Sequence, residues 1–334
     1  MPGGRSVIPR GVRSNRRAPI SSSSVRICRL TGGWATWSFC AARPTCPSSA
    51  TATKYRICER LTPGACQIET VLDAPRLDHA AFDPMAITIL SAPEIERMRR
   101  AGRVAAETLA FVGSKLRAGM TTADIDRLVR EDTARHGGKP SQLGYKGFPA
   151  AVCTSRNDVV CHGIPNKKER LAPGDIINVD VTTELDGYHG DTSATFIIGD
   201  ATPDARRLVD VARRCRDAGI AVIRDGARLG DIGAAIEELA RAEGMSVVEE
   251  IGGHGIGKKM HLDPHVSHTG RRGLGPRLKA GMAITVEPMI NAGAPTIEQL
   301  DDGWTIVTAD GSLSAQWEHT VIVTKDGYEL TTLL

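Results

Sequence analysis

The stretch Ile176-Ile177-Asn178-Val179-Asp180-Val181-Thr182-Thr183-Glu184-Leu185-Asp186-Gly187-Tyr188-His189-Gly190-Asp191-Thr192-Ser193 decides how the chain is to be read. Asp-Gly between two runs of alternating side chains is a strong hairpin signal, because a two-residue turn needs positive φ at its centre. It predicts strands over 176–184 and 188–198. With the turn centred on 186–187, facing residues have numbers summing to 373, so Asp191 sits opposite Thr182. Asp180 lies two residues from Thr182 and shares its face, so the two aspartates are diagonal neighbours pointing the same way. Two such carboxylates repel unless a cation lies between them. A solvated hairpin face is the plain alternative. Against it stand Val179 and Val181, which alternate with Asp180 in a strand apolar enough to be buried.

Further carboxylates stand in similar settings. Glu287 follows Ala283-Ile284-Thr285-Val286, and Glu318 leads into His319-Thr320-Val321-Ile322-Val323. A lone carboxylate in an apolar strand is costly to bury, whereas several converging on a metal are neutralised. His254, within Gly252-Gly253-His254-Gly255-Ile256-Gly257, adds an imidazole where glycines let the backbone approach closely. Four carboxylates and one imidazole suit Mn, Fe, Co or Zn and balance two divalent ions in charge. Helix caps, salt bridges and solvated faces are the structural alternatives for each residue alone. His189 shares a face with Asp191 and is an outside candidate, a loop-edge histidine being the plainer reading. His261-x-x-x-His265 is no helical zinc pair, because Pro264 falls between. Cys161-His162 is no thiol dyad, since adjacent strand residues point to opposite faces. His265, His268 and His319 are expected to be structural.

Outward from these motifs, the 334 residues divide by composition. Residues 1–60 carry 11 Lys and Arg against one acid, Glu59, which leaves 31 basic and 38 acidic residues beyond. Residues 1–84 are rich in Arg, Ser and Pro and show no sustained period, so they are expected to be an irregular extension, disordered or preceding a true start at Met85. An organelle-targeting segment and a docking tail are the alternatives. No apolar run approaches the ~20 residues of a membrane span, and no basic patch interleaved with aromatics suggests nucleic acid. From Met85 an α+β domain is expected to run to residue 334. Ser91 with Glu94 forms a capping box, Thr122 opens a second helix, and two more cover about 203–224 and 231–243. Strand-like stretches follow each pair of helices, at 151–154, 158–162, 176–183 and 188–198, then across 246–324. The repeat of two helices then strands suggests duplication with antiparallel sheets, although the halves share little visible sequence.

Six separated motifs resemble the type I methionine aminopeptidases: Val160-Cys161-His162-Gly163-Ile164-Pro165, Asn178-Val179-Asp180-Val181, His189-Gly190-Asp191-Thr192-Ser193, Gly253-His254-Gly255-Ile256-Gly257, Val286-Glu287-Pro288-Met289 and Ala315-Gln316-Trp317-Glu318-His319-Thr320. They follow the family's order from about Met85 to the C-terminus. The resemblance implies a pita-bread fold of two pseudo-symmetric halves and removal of the initiator methionine from nascent chains whose second residue is small. It implies that Asp180, Asp191, His254, Glu287 and Glu318 hold two metal ions, with Asp191 and Glu318 bridging and His254 and Glu287 mainly on one ion. His162 would contact substrate near its N-terminal residue, and His261 would hydrogen-bond the scissile carbonyl oxygen. Glu287 would move the proton of a metal-held water.

By the same resemblance Tyr145, Phe148, Cys153, His162 and Trp304 would line a methionine pocket, a soft apolar slot for a thioether. Met260 and Gln142 depart from the family's usual residues, and neither is expected to touch a metal ligand. Asn157, Val159 and Ser314 match positions that line a monovalent-cation site in relatives. A cytoplasmic, ribosome-proximal monomer is expected. The competing readings are a pita-bread peptidase acting before proline, which should carry a large extra N-terminal domain, and a non-catalytic binding protein, which should have lost ligands.

Overall fold

In a computed structural model, which describes residues 87–333, the Asp186-Gly187 turn closes a hairpin with Asp186 at φ 50° and Gly187 at φ 79°. Its register is the expected one: Thr182 faces Asp191 and Leu185 faces Tyr188. Val179 and Val181 are fully buried against helices, while Asn178, Asp180 and Thr182 turn to the other face. The 1–84 extension and Met85 lie outside the described residues.

The first half runs α1 (Ala92–Gly113), α2 (Thr122–Arg135), β1 (Lys139–Pro140), β2 (Cys153–Arg156), β3 (Val159–Cys161), β4 (Ile176–Leu185) and β5 (Tyr188–Ile197). The second runs α3 (Pro203–Ala221), α4 (Leu229–Ala242), β6 (Ser246–Val247), β7 (Gly253–Gly255), β8 (Leu262–Val266), β9 (Ala283–Val286), β10 (Met289–Asn291), β11 (Ile297–Gln299), β12 (Ile306–Thr308), β13 (Ser314–Gln316), β14 (His319–Val323) and β15 (Tyr328–Leu330). The Ser91–Glu94 and Thr121–Asp124 capping boxes start α1 and α2. The strand anticipated at 151–154 lies two residues later, and the long helices end slightly earlier than their apolar period, the usual uncertainty at element ends. Helices α1 and α2 cover one face of β4–β5 through Leu109, Val112, Ile125 and Val129, and α3 and α4 bury Leu208, Ile232 and Ile236 against Ile284, Val286 and Val321. Each such side chain contributes roughly 1.5–3 kcal/mol by leaving water. Every pairing among the described strands is antiparallel.

The halves repeat more closely than their sequences first suggest. Gly119, Asp124, Arg170 and Asp180 stand 107 positions before Gly226, Asp231, Arg277 and Glu287. Local hydrogen bonds repeat with them. Arg170 Nη1 donates to Gly119 O (3.0 Å) as Arg277 Nη1 does to Gly226 O (3.1 Å). Thr121 N–H donates to Asp124 Oδ2 (2.9 Å) as Arg228 N–H does to Asp231 Oδ2 (2.8 Å). Strands β1 and β4 pair as β6 and β10 do. Asp180 and Glu287 are therefore equivalent positions in two copies of one α+β unit.

Candidate metal centre and substrate pocket

Polar faces of the two halves enclose a cavity of about 440 Å³. Its walls include the expected metal-ligating and substrate-handling residues: Asp180, Asp191, His254, Glu287 and Glu318, with His162 and His261, and Tyr145, Phe148, Cys153 and Trp304; Asn157, Val159, Ser314 and His189 do not line it. Asp180 and Asp191 come from the hairpin, on facing strands two residues apart in register. Glu287 follows β9 and Glu318 precedes β14, which is anchored on β5 by Glu318 N–H to Ser193 O (3.0 Å). His254 sits mid-strand in β7, where a Cβ on Gly255 would lie 2.2 Å from Asp263 O, so only glycine admits the neighbouring backbone.

Neighbouring groups fix the orientation of most of these side chains. Thr182 Oγ1 donates to Asp191 Oδ1 (2.7 Å) and Thr285 Oγ1 to Glu287 Oε1 (2.6 Å). Glu287 N–H donates to His268 Nε2 (3.1 Å), which gives that buried histidine a structural role. His254 Nδ1 meets Gly255 O at 3.0 Å. As the donor there, it leaves the Nε2 lone pair facing Glu287 Oε1 (3.6 Å) and Asp191 Oδ2 (3.8 Å), the arrangement of a ligating imidazole. Glu318 is 2% exposed, and its Oε1 has no hydrogen-bond partner among the described residues.

Electrostatics make the same point. Burial, then the Asp191 charge, pushes the carboxyls of Asp180 and Glu287 up, and burial followed by Asp191, Glu287 and Asp180 raises Glu318. Burial lowers His254 to about 4. So many carboxyls pressed together in an unpaired, desolvated pocket are stable as charges only with cations among them. Ligand atoms of Asp191, His254 and Glu318 all lie within 4.8 Å of one another. The donor set fits divalent metal.

Around this centre, the His261 ring lies 4.1 Å from that of His254 and 5.0 Å from Tyr145. Burial, reinforced by His254, holds its pKa down to about 3, so the imidazole is neutral at pH 7. Trp304 packs edge-on to Phe148 (5.1 Å) and His162 (6.2 Å). Phe148 and Cys153 are buried in a small apolar cluster with Ala150, which Trp304 and Ile164 cover. Met260 is buried beside His261.

Three expectations need correction. Gln142 does touch an expected ligand residue: its Nε2 donates to Asp180 O (2.9 Å) and to Asp180 Oδ1 (3.3 Å). His189 is not at a loop edge but inside β5, opposite Glu184, with Nδ1 2.8 Å from Ser141 Oγ. His162 lies outside any strand, at φ 55°, because β3 ends at Cys161; strand alternation therefore does not govern it. The thiol reading of Cys161 fails on other grounds, since burial raises that thiol well above its ordinary range. His265 is exposed, pairs across to His254 and lines the cavity mouth, and His319 Nδ1 lies 2.9 Å from Thr332 Oγ1. Ser314 N–H donates to Asn157 O (2.8 Å), and Val159, two residues after Asn157, begins β3.

The metallopeptidase family M24 matches residues 96–325. Methionine aminopeptidase A of Synechocystis is 50% identical over 247 residues, which cover 74% of this chain and 98% of that protein. The crystal structure of methionine aminopeptidase from Rickettsia prowazekii superposes with a TM-score of 0.73 at 48% identity, covering 74% of this chain and 100% of that one. A prolidase from Pyrococcus furiosus, 17% identical with a TM-score of 0.60 over 74% of this chain and 65% of its own, shares the fold alone. The architecture is thus the pita-bread fold, and the chain belongs to metallopeptidase family M24, among the type I methionine aminopeptidases.

Proposed function

We propose that the chain removes N-terminal methionine from peptides and nascent proteins whose second residue is small, as a metal-dependent methionyl aminopeptidase. The observation that carries this reading is the convergence of four buried carboxyls and the free Nε2 of His254 beside an apolar, sulfur-lined slot. Asp180, Asp191, His254, Glu287 and Glu318 would hold two divalent ions. When bound, such ions supply a water of lowered pKa and a Lewis acid for the scissile carbonyl.

The chain's own groups do the rest. Phe148, Cys153, Tyr145 and Trp304 take the thioether into a dry slot and fix the N-terminal residue. His162, neutral because burial lowers its pKa, contacts the substrate at the mouth of that slot. His261 donates a hydrogen bond from a neutral imidazole to the carbonyl oxygen, where negative charge grows in the transition state. Glu287 accepts the proton of the attacking water on its carboxylate and returns it to the leaving amine. Asn157, Val159 and Ser314 are the proposed holders of a monovalent cation.

The peptidase domain is proposed to span Met85 to Leu334, with residues 1–84 dispensable; the family match over 96–325 supports this. No helix among the described residues is long and apolar enough to cross a membrane. A cytoplasmic, ribosome-proximal monomer is the proposed setting. The reading before proline and the non-catalytic reading have less support, since relatives near 50% identity are methionine aminopeptidases and all five ligand residues are present. Methionine release from Met-Ala-Ser by full-length protein and by the 85–334 fragment tests both proposals. Equal metal-dependent rates are expected. No release by either form sinks the activity, and loss of activity in the fragment alone sinks the domain boundary.

A further inference from the structure

We infer that Gln142 is a positioning residue for Asp180. Its amide holds that carboxylate in its ligating pose and completes the β4 ladder where the main chain departs. The inference rests on the metal reading above.

Strand β1 pairs with Thr183 and Glu184 on one edge of β4, and Ser141 N–H continues the ladder to Thr182 O (2.8 Å). On the same edge β2 takes over only at Asp180, opposite Cys153. Between these two partners the chain turns away into the 142–149 loop. Two main-chain groups of β4, the carbonyl of Asp180 and the N–H of Thr182, are left without a strand. The Gln142 side chain fills the gap as a peptide group would. Its Nε2 donates to Asp180 O (2.9 Å), and its Oε1 accepts from Thr182 N–H (3.2 Å). Held at both ends, and 6% exposed, the amide places its remaining donor capacity 3.3 Å from Asp180 Oδ1. An amide so anchored is a fixed donor, which is what orients a ligating carboxylate.

The other half contains the same device built from a different strand. Glu287 is the equivalent of Asp180, and Gln316 Nε2 reaches Glu287 Oε2 (3.2 Å) and Glu287 O (3.5 Å). Each of the two equivalent carboxylates is thus met by a buried glutamine amide that also touches that residue's own carbonyl. The residue 107 positions after Gln142 is Glu249, which is exposed; β13 supplies the amide there through Gln316. Two unrelated routes to one contact argue that the contact matters to the carboxylate, beyond filling the pocket wall.

The experiment is a Co²⁺ titration of full-length, chelator-stripped protein, followed by visible absorption of the bound ion and by steady-state release of methionine from Met-Ala-Ser. Gln142→Met keeps the volume and removes the amide. It should raise the free Co²⁺ needed to fill the site about 10–100-fold and alter the absorption of the ion held through Asp180. Gln316→Met should behave alike. If Gln142→Met does not fold, Gln142→Asn, whose amide is about 1.5 Å too short to span both main-chain groups, carries the same expectation. A variant that binds Co²⁺ like the wild type and changes only KM overturns the inference, since that is the behaviour of a simple pocket wall. Failure of the wild type to take up Co²⁺ would overturn the metal reading and this inference with it.

Discussion

Exchanging Glu318 for Gln should alter stability in opposite directions with and without divalent metal. Without metal, burial and three carboxyl neighbours hold the Glu318 carboxyl protonated well above its ordinary value of 4.5. The unfolded chain gives that proton up near pH 4.5, so the folded state must acquire a proton at neutral pH. A raised folded pKa is a contribution fully present below the unfolded value and lost as pH rises, at about 1.4 kcal/mol per pH unit. Between pH 4.5 and 7.5 that bounds the cost at about 4 kcal/mol. Gln has the same shape, needs no proton, and breaks no hydrogen bond at Oε1. The metal-free variant should therefore be more stable at pH 7.5, by up to about 4 kcal/mol, and no more stable at pH 4.5. For a domain of this size each kcal/mol is a rise in Tm of about 2–4 °C. With Co²⁺ the sign reverses, because the neutral amide removes one of the charges proposed to hold the ions: each tenfold loss of affinity subtracts about 1.4 kcal/mol of metal-dependent stabilisation. Calorimetry at both pH values, with EDTA and with Co²⁺, reads all four conditions. A variant less stable than wild type in EDTA at pH 7.5 would refute the electrostatic argument, and undiminished stabilisation by Co²⁺ would refute the ligand assignment.

Other consequences follow from the same geometry. His261→Ala should retain both ions and lose about 10²–10³ in kcat, the size of losing one donor to a developing oxyanion; release of metal by this variant would place His261 in the ligand set instead. In the wild type without metal, Tm should fall as pH rises from 6.5 to 8, because Asp191 and Glu287 titrate near 7 and 8 while His254 and His261 are already neutral. A flat Tm in EDTA over that range would contradict the raised carboxyls. Gly255→Ala would force a Cβ to 2.2 Å from Asp263 O, between β7 and β8. It should cost about 1–3 kcal/mol or more and weaken metal binding through His254, as denaturant melts and Co²⁺ titration would show.

Much of the site was legible because its chemistry is written into strand alternation and one turn. Asp186-Gly187 set the hairpin register, and the register alone placed Asp180 beside Asp191. The capping boxes at Ser91 and Thr121 marked helix starts for equally local reasons. The methionine slot was not derivable from local pattern, since Tyr145, Phe148 and Trp304 meet only through tertiary packing; there the family resemblance carried the expectation. The duplication was half seen. Its element order was visible, but the constant spacing of 107 residues linking Asp180 to Glu287 went unread, because few identical residues mark it. Gln142 was missed for a related reason. Its role depends on where β1 leaves β4 and β2 joins, a boundary that side-chain period does not encode. His162 escaped because nothing local announces that a histidine will adopt φ 55°.

The central claim is that two divalent ions held by Asp180, Asp191, His254, Glu287 and Glu318 serve release of N-terminal methionine. Its most direct test is metal stoichiometry measured beside methionine release from Met-Ala-Ser on one preparation of the full chain. Chelation should abolish release, and Co²⁺ added back should restore it as occupancy climbs toward two ions per chain. Asp191→Asn should lower both the occupancy and the rate at saturating peptide. Release that persists in chelated protein, or an Asp191→Asn variant that keeps two ions and full turnover, would contradict the account.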